Sequence, residues 1–403
     1  MKKIVIILVI FLIIVIGFIF GYRIYNKYRV EHAKKIVKLK FDKIDIFKEV
    51  TLKDLIYEIN GKLIKNKKID TTTIGKKKIS FKYVNNDNIK VPYTIEVEVI
   101  DRNPPLIKKF SSYITTVGND KFFDKFFCGD NYDDKPKCTL EGDYDINTPG
   151  SYEVVFKGED SSGNVSENSF TLIVKEPSKG SSSAGKKEKE KDEVITTDFK
   201  EVISKYKDKT NKIGIDVSHF QGDIDFEKVK NAGVEFVYIR VGRGGGVGKK
   251  PVLDTKFKRN IEGFNKVGIP VGVYFYSYAV NEKEAVKDAK WVIKQIKDYK
   301  VDLEVAYDFE DWGDFSEYNL SFYHLSQIGE AFNNRIKKMG YTGMLYSSKY
   351  YLENIWFKTE NPVWLAHYTD KTDYEGKYKV WQLCENGKID GINNLVDINI
   401  MYE

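Results

Sequence analysis

From residue 211 to the end of the 403-residue chain, β-strand patterns alternate with helical patterns. Repeated β-α units of this length predict parallel strands, and eight strands favour a closed, TIM-like barrel. Because the last three strands lack full-length helices between them, we expect an irregular α/β barrel at residues 211–403. Helical periodicity covers residues 224–232, 254–267, 282–299 and 319–339. The strands are predicted at 213–218, 236–242, 270–278, 304–310, 343–348, 363–368, 380–383 and 395–399.

The N-terminus carries an unbroken run of 17 apolar residues, from Ile4 to Phe20. That length is about enough for one membrane-spanning helix. A cleaved secretory signal is the alternative, but no small-x-small cleavage site follows Phe20. We therefore predict a retained single-pass anchor at residues 1–22 in the cell membrane. The lysines and arginines near its two ends favour an inside location for the rest of the chain, yet large domains translocate largely regardless of charge. We expect the rest of the chain outside.

The net charge of +6 comes from the region beside this apolar run. Residues 23–43 alone carry +6, and the chain from residue 44 onward sums to −2. A nucleic-acid binder needs its positive charge on the working domain, so that class is excluded. Residues 23–40 are interpreted as a basic juxtamembrane stalk. Three cysteines in the whole chain also exclude a disulfide-dense scaffold and a cysteine-built zinc site.

Residues 41–175 contain an internal repeat with an offset of 75 residues, in which 69–75 match 144–150 without gaps. Alternating apolar residues between Gly, Pro and Asn-Asp turns predict short antiparallel strands. The pattern resembles bacterial immunoglobulin-like surface modules, which implies two spacer domains at 41–101 and 102–175. Residues 176–210 are predicted to be a flexible linker, because residues 176–193 hold Ser, Gly, Lys and Glu repeats and almost no apolar residues.

Two of the cysteines lie in the second repeat. Cys128 and Cys138 are ten residues apart in a loop-like stretch, and we expect them to pair if this domain is extracellular. The third, Cys384, ends a strand pattern and has no nearby His or Cys, so we interpret it as a buried, inert thiol.

Acidic residues cluster at the ends of three predicted barrel strands. Asp308 and Glu310 are two positions apart, so they share one face of their strand at its C-terminal end. Asp216 on the first strand and Asp397 on the last are placed to face the mouth of the barrel. An exposed strand end feeding an acidic loop is the structural alternative. Four acids with aromatic rings nearby predict a carbohydrate site, because sugars stack on rings while carboxylates act at the glycosidic bond. The rings are Tyr274, Tyr276, Trp364 and Trp381.

Several motifs in register resemble glycoside hydrolase family 25, the lysozymes of bacteria and phages. The first is Asp216-Val217-Ser218-His219-Phe220-Gln221-Gly222, and the others are 236–240, 268–274, 308–310, 363–366 and 396–399. The resemblance spans residues 211–403 and implies an irregular barrel of five β/α units plus three strands. It also implies hydrolysis of the β-1,4 bond between N-acetylmuramic acid and N-acetylglucosamine in peptidoglycan.

Carried over motif by motif, the resemblance makes Glu310 the proton donor, with Asp216, Asp308 and Asp397 completing the acidic site. Gln221 joins the predicted substrate-binding residues. No cofactor or metal is implied, the expected partners are peptidoglycan and the membrane, and the sequence does not indicate an oligomeric state. Two alternatives stay open: a wall-binding protein that has lost turnover, and a barrel glycosidase acting on another N-acetylated glycan. The sequence also leaves open whether Asp216 is a nucleophile or assists a substrate N-acetyl group.

Overall fold

The structure, a computed structural model, describes residues 2–177, 195–246 and 248–402. About half of the predicted linker, residues 178–194, lies outside the described residues. The chain divides into two units, Met1–Asn103 and Pro104–Glu403.

The first unit begins with helix α1 (Lys2–Glu31). Within the described residues it is the one helix long and apolar enough to cross a membrane: in Ile6–Glu31, an 18-residue stretch has a mean hydropathy of 2.7 and is not buried in the protein. A signal sequence near an N-terminus meets the same criteria. The helix continues nine residues past the predicted end of the anchor, through Arg23 and Arg29 of the predicted stalk.

The rest of the first unit is a small β-domain. In its described residues, β5 and β6 pair as an antiparallel hairpin, and the main sheet has the order β2-β6-β5-β4, with β2 parallel to β6. Alternate residues of β5, among them Ile79, Phe81 and Tyr83, are buried against one face. The elements are β1 (Val37–Leu39), β2 (Lys43–Asp45), α2 (Leu52–Leu55), β3 (Ile56–Ile59), β4 (Gly61–Leu63), β5 (Gly75–Asn85) and β6 (Lys90–Ile100).

The second unit opens with a β-domain of the same topology. Over the described residues its sheet has the order β8-β12-β11-β10, with β8 parallel to β12, and its hairpin strands start 75 residues after β5 and β6. The internal repeat therefore corresponds to a repeated hairpin and a repeated strand order. Cys128 and Cys138 form a disulfide. The strands are β7 (Leu106–Ile107), β8 (Ser112–Thr116), β9 (Cys128–Gly129), β10 (Lys137–Glu141), β11 (Gly150–Glu159) and β12 (Val165–Lys175).

The C-terminal part of this unit is a barrel surrounded by helices. Its strands are β13 (Thr197–Asp198), β14 (Asn211–Val217), β15 (Phe236–Arg243), β16 (Val252–Leu253), β17 (Val271–Tyr276), β18 (Val305–Asp308), β19 (Gly343–Ser348), β20 (Val363–Ala366), β21 (Val380–Lys388) and β22 (Val396–Tyr402). Its helices are α3 (Phe199–Tyr206), α4 (Phe226–Asn231), α5 (Phe257–Val267), α6 (Glu282–Ile296), α7 (Phe322–Lys338) and α8 (Lys349–Asn354).

In the described part of the chain, eight strands close the barrel in the order β14-β15-β17-β18-β19-β20-β21-β22. The first seven are parallel, and β22 runs antiparallel to both β21 and β14. Each predicted strand has a counterpart in this barrel. The irregularity predicted at the end is the reversed last strand, which needs no crossover helix because it follows β21 as an antiparallel neighbour.

Alternation along the barrel strands separates two apolar layers. Ile213, Ile215 and Val217 of β14 pack outward against the helices, whereas Tyr238 and Trp364 belong to a separate buried cluster with Phe236, Ala306 and Met344. Side chains therefore fill the lower barrel, as in other small closed barrels. The polar residues are left for its C-terminal mouth.

Part of the predicted linker packs onto the barrel. Thr197–Asp198 pairs with β21, and α3 follows it directly, with Asp198 accepting a hydrogen bond from the backbone of Lys200 as its N-cap. Phe199 and Val202 of α3 are buried in the same core as the barrel helices. The sequence did not indicate this because α3 has only two turns and is rich in lysine.

Candidate active site

Four carboxylates lie at the C-terminal mouth of the barrel. Asp216, near the end of β14, is directly opposite Asp397 of the antiparallel strand β22. Asp308 is the last residue of β18, and Glu310 follows it by two positions. Because parallel strands of a barrel end at one face, residues from β14 and β18 meet there across the lumen.

Asp216 is the most constrained of the four. It is 3% exposed, and its Oδ2 accepts hydrogen bonds of 2.8 Å from both Gln382 Nε2 and Asn399 Nδ2. Asn399 Oδ1 in turn accepts from Trp364 Nε1 at 2.8 Å, and Gln382 Oε1 accepts from the Tyr346 hydroxyl at 2.9 Å. This network holds the carboxylate in one orientation and supplies donors that favour its ionised form.

Asp216 and Asp397 share a hydrogen bond and titrate together. Burial raises the pKa of Asp216, and the hydrogen bonds from Asn399, Gln382 and Asp397 oppose that rise. Burial, followed by the charge of Asp216, raises the pKa of Asp397 to about 9. At neutral pH Asp397 therefore keeps its proton, which its carboxyl group can donate to Asp216.

Asp308 and Glu310 both have raised pKa values. Asp308 is 2% exposed, and burial, the charge of Glu310 and that of Asp216 hold its pKa well above the usual range. Glu310 is exposed as a whole residue, but protein surrounds its carboxyl group; this burial, and then the charge of Asp216, raises its pKa to about 7. A hydrogen bond with Tyr346 opposes the rise.

The resulting site combines one carboxylic acid that can release a proton near neutral pH with one fixed carboxylate. The pKa of Glu310, at about 7, lies at the operating pH of a general acid. Environments that push two carboxyl pKa values apart are typical of glycosidase acid and base pairs. The part of the chain that carries these acids also matches a known protein family.

Residues 215–392 match the family model of glycosyl hydrolases family 25. This part of the chain is a glycoside hydrolase family 25 domain. The match includes three of the four acids. The fourth, Asp397, lies five residues beyond the end of the match, on the strand paired with that of Asp216.

The family 25 domain has lysozymes among its relatives. The chain is 25% identical over 193 residues to an autolytic lysozyme of Clostridium acetobutylicum, covering 47% of this chain and 56% of the relative. It is 38% identical over 64 residues to lysozyme M1 of Streptomyces globisporus, covering 16% of this chain and 20% of the relative. The chain thus spans little more than half of the first relative's length.

Several solved structures are similar to part of this chain, and two of them serve as examples. The modular autolysin LytC from Streptococcus pneumoniae aligns at 26% identity with a TM-score of 0.44, over 62% of this chain and 56% of that chain. A family 25 glycosyl hydrolase from Bacillus anthracis aligns at 22% identity with a TM-score of 0.39, over 49% of this chain and 92% of that chain.

The two predicted tyrosines line the mouth of the family 25 domain. Tyr274 and Tyr276 are half-buried, and Tyr276 is paired in register with Asp308. Burial, and then the charge of Asp216, holds the pKa of Tyr274 well above its usual range. Both phenols therefore stay neutral and present ring surface and a hydroxyl beside the acids.

The two predicted tryptophans do not present ring faces to the mouth. Trp364 is 1% exposed, with its ring centroid 4.6 Å from that of Tyr238 and 4.9 Å from that of Tyr346 in the barrel interior. Trp381 is 3% exposed; it packs against Tyr206 of α3 on the outside of the barrel and donates to the His367 carbonyl. Neither can stack on a sugar in this structure, so their assignment as substrate-binding residues is corrected. Trp364 acts instead on the site through Asn399.

Gln221 is buried, and both ends of its amide are used within the protein. Its Oε1 accepts from the Ser218 backbone N–H at 2.8 Å, and its Nε2 donates to the Leu395 carbonyl at 3.1 Å. The residue thus caps the 3₁₀ turn His219–Gln221 and ties β14 to the start of β22. Its contacts are those of a residue that shapes the mouth.

Four polar residues of the site were missed from the sequence. Gln382, Asn399 and Tyr346 belong to the Asp216 network, and the Tyr368 hydroxyl donates to Gln382 Oε1 at 3.2 Å. Asn399 lies two positions after Asp397, so period-two alternation on the last strand was a signal that could have found it. The other three depend on the strand register across the barrel.

One exposed aromatic residue stands beside the first strand. Phe220 is 65% exposed, its ring lies 5.1 Å from the Arg240 guanidinium, and it packs on His219. Asp254 holds Arg240 through its Nε at 2.9 Å and its Nη2 at 2.8 Å. A supported, solvent-exposed ring of this kind suits an apolar sugar face.

Proposed function

We propose that this chain is a cell-wall muramidase that cleaves the β-1,4 bond between N-acetylmuramic acid and N-acetylglucosamine in peptidoglycan. The observation that carries the proposal is the pairing, inside a family 25 domain, of Glu310, whose pKa is about 7, with an Asp216 carboxyl group that Gln382 and Asn399 hold by hydrogen bonds. A general acid and a fixed negative charge are the two groups that glycoside hydrolysis needs.

In the first step Glu310 donates its proton to the glycosidic oxygen. The bond between that oxygen and the anomeric carbon breaks, and positive charge develops on the sugar ring. Glu310 is left as a carboxylate, which takes the proton back from the water that completes hydrolysis. Its raised pKa makes the protonated form available at neutral pH.

Asp216 supplies the negative charge that stabilises the oxocarbenium-like transition state. Because Gln382 and Asn399 fix its carboxylate before substrate binds, little reorganisation is needed when charge develops. Asp397, with a pKa of about 9, is proposed to act as a neutral acid at pH 7, and the raised pKa of Asp308 favours its neutral form. Asp397 keeps Asp216 ionised through its hydrogen bond, and Asp308 limits the total charge of the site.

Substrate contacts are proposed for the rings around the mouth. Tyr274 and Tyr276 lie beside the acids, and Phe220 offers an exposed ring at the end of the first strand. Gln221 acts in this scheme by shaping the mouth. The scheme uses protein carboxylates for each step.

The arrangement of the chain supports a tethered enzyme. An apolar helix long enough to span a membrane precedes two β-domains of one topology, which we propose to be immunoglobulin-like, and the barrel follows. We propose a single-pass anchor with the barrel on the cell-wall side. Such a tether confines hydrolysis to nearby peptidoglycan.

Product analysis tests this function. The full chain, purified in detergent, is incubated with Gram-positive peptidoglycan, and the new reducing ends are identified by mass spectrometry after reduction. We expect reduced muramic acid ends. Reduced glucosamine ends, or release from chitin but not from peptidoglycan, would establish a different glycosidase. Binding to walls without any release would leave a glycan-binding protein.

The pH dependence of the reaction follows from the protonation states. Glu310 works as the protonated acid, so kcat falls as the pH rises through about 7, by about ten-fold per unit above it. Asp216 works as the anion, so activity also falls at low pH, on a limb that lies above the usual Asp pKa because burial raises the value. Initial rates at constant ionic strength, with thermal unfolding at each pH as control, check this. A rate that climbs steadily above pH 8 would exclude Glu310 as the acid.

A further inference from the structure

The second β-domain packs against the barrel through its disulfide-bonded loop. Residues 122–138, the disulfide loop, carry the Cys128–Cys138 bond and contact residues 311–324, the rim segment, which directly follows Glu310. The sequence pattern implies that this β-domain is a spacer. Its contacts with the rim segment indicate more than spacing.

Hydrogen bonds join the two segments at the start of α7. The backbone N–H of Phe322 donates to the Asp130 carbonyl at 2.8 Å, and that of Ser321 donates to Asp134 Oδ1 at 2.8 Å. Asp134 Oδ1 also lies 2.5 Å from His324 Nδ1. The first turn of a helix has unsatisfied N–H groups, and here the β-domain satisfies some of them from outside the barrel.

Aromatic packing joins the same segments. Phe127 is buried within the barrel's own core cluster, with ring centroids 5.4 Å from Phe315 and 6.3 Å from Phe322. Gly129 lies so close that a Cβ there would stand 2.6 Å from Phe322 Cε1. Lys125 adds ion pairs with Asp314 and Glu317 at the exposed edge. The fit leaves no space for a larger residue at position 129.

The rim segment in turn holds Glu310. Phe309, the residue before it, is fully buried, with ring centroids 4.9 Å from Trp312 and 6.3 Å from Phe315. The Trp312 backbone N–H donates to the Glu310 carbonyl at 2.8 Å. A contact path therefore runs from Phe127 through Phe315 to Phe309 and the backbone of Glu310.

We propose that the disulfide loop positions Glu310: Phe127, Gly129 and Asp134 fix the rim segment, and the second β-domain is thereby part of the catalytic unit. This inference rests on the proposed function, in which Glu310 is the acid. Half of the rim segment is the 3₁₀ helix Trp312–Tyr318, and hydrogen-bond geometry in such a helix is poorer than in an α-helix. A displacement of about 1 Å at a catalytic group costs up to about 100-fold in rate.

The test compares Phe127→Ala and Gly129→Ala with the conservative Phe127→Leu, all in the full chain. The control is Ile114→Ala, because Ile114 is exposed on β8 of the same domain. With a soluble alternating glycan, we expect kcat to fall about 10- to 100-fold for the first two variants, with KM within about two-fold. Phe127→Leu is expected to keep most of the wild-type rate. The alkaline limb of the pH profile moves below 7 in the two impaired variants, because a displaced Glu310 carboxyl group is more hydrated.

Hydrogen exchange of the same variants provides a readout that does not need turnover. We expect faster exchange of backbone amides in residues 311–324 for Phe127→Ala and Gly129→Ala, and unchanged exchange for Ile114→Ala. Unchanged exchange in the rim segment, or an unshifted pH profile with normal kcat, would overturn the positioning role. An inactive wild-type chain whose rim segment still loosens in Phe127→Ala would overturn the proposed reaction and leave the structural coupling established.

Discussion

Replacing Glu310 with glutamine is expected to lower kcat on peptidoglycan glycan by about 10³-fold, with KM changed by less than about three-fold. The glutamine side chain has nearly the same size and keeps contact with Tyr346, but it has no proton to give to the glycosidic oxygen. The loss therefore falls on the transition state and not on binding. Steady-state rates on soluble fragments, followed by reducing-end release, measure it.

Glu360→Gln is the matched control. Glu360 is an exposed glutamate just before β20, at the end of the barrel opposite the acids, so the same chemical change there should leave kcat unaltered. Unfolding temperatures of both variants separate lost chemistry from lost structure.

Leaving-group dependence sharpens the assignment. A nitrophenyl glycoside has nitrophenolate as its leaving group, and this stable anion needs little protonation to depart. Glu310→Gln should therefore lose far less rate on that substrate than on the glycan. The residual glycan activity should also lack the alkaline limb near pH 7. Equal losses on both substrates would contradict a general-acid role and point to a charge or positioning role instead.

The acids of the site could be found from the sequence because they depend on local order. Alternation with a period of two, together with strand ends, placed Asp216, Asp308 and Glu310 at one face of a barrel whose strands are themselves predicted by pattern. The reversed last strand could be predicted only as an irregularity. Alternation along the last strand nevertheless placed Asp397 at the same end of the barrel.

The residues that support the acids could not be found in this way. Whether Trp364 faces the mouth or the packed interior depends on strand tilt and stagger, which a single sequence does not encode locally. Trp381 faces outward and is covered by α3. The sequence did not predict this contact, because α3 lies in a segment whose composition favoured a linker. Gln382 and Asn399 reach Asp216 through the register of β21 and β22, where the pairing shifts twice.

The contact between the disulfide loop and the rim segment is the most distant of these features. Phe127 and Phe315 are nearly 190 residues apart, and each sits in a stretch with no regular period. Their proximity is a consequence of the β-domain and the barrel sharing one buried cluster, which local propensity cannot express. The sequence therefore predicted the positions of the acids better than the contacts that support them.

The two members of the hydrogen-bonded aspartate pair are expected to respond differently to the same substitution. Asp216→Asn removes the negative charge that faces the developing cation, and kcat should fall about 10²- to 10³-fold. Asp397→Asn keeps a hydrogen-bond donor where the protonated Asp397 donates to Asp216, so its kcat should stay within about ten-fold of the wild type. Equal losses in the two variants would show that the proton is not held by Asp397.

Stability gives an independent measure of the same proton. The pKa of Asp397 is about 9 in the folded protein against a usual value of 3.8, so its carboxyl group favours folding fully only below about pH 4. Between about pH 4 and 9 the unfolded chain binds fewer protons, and this contribution to stability is progressively lost. Asp397→Asn has no such titration, so its unfolding temperature relative to the wild type should rise with pH, by about 2–4 °C for each kcal/mol. Calorimetry at pH 4, 6 and 8 measures this difference, and a difference that stays constant with pH would mean that Asp397 is ionised in the folded protein and that Asp216 carries the shared proton.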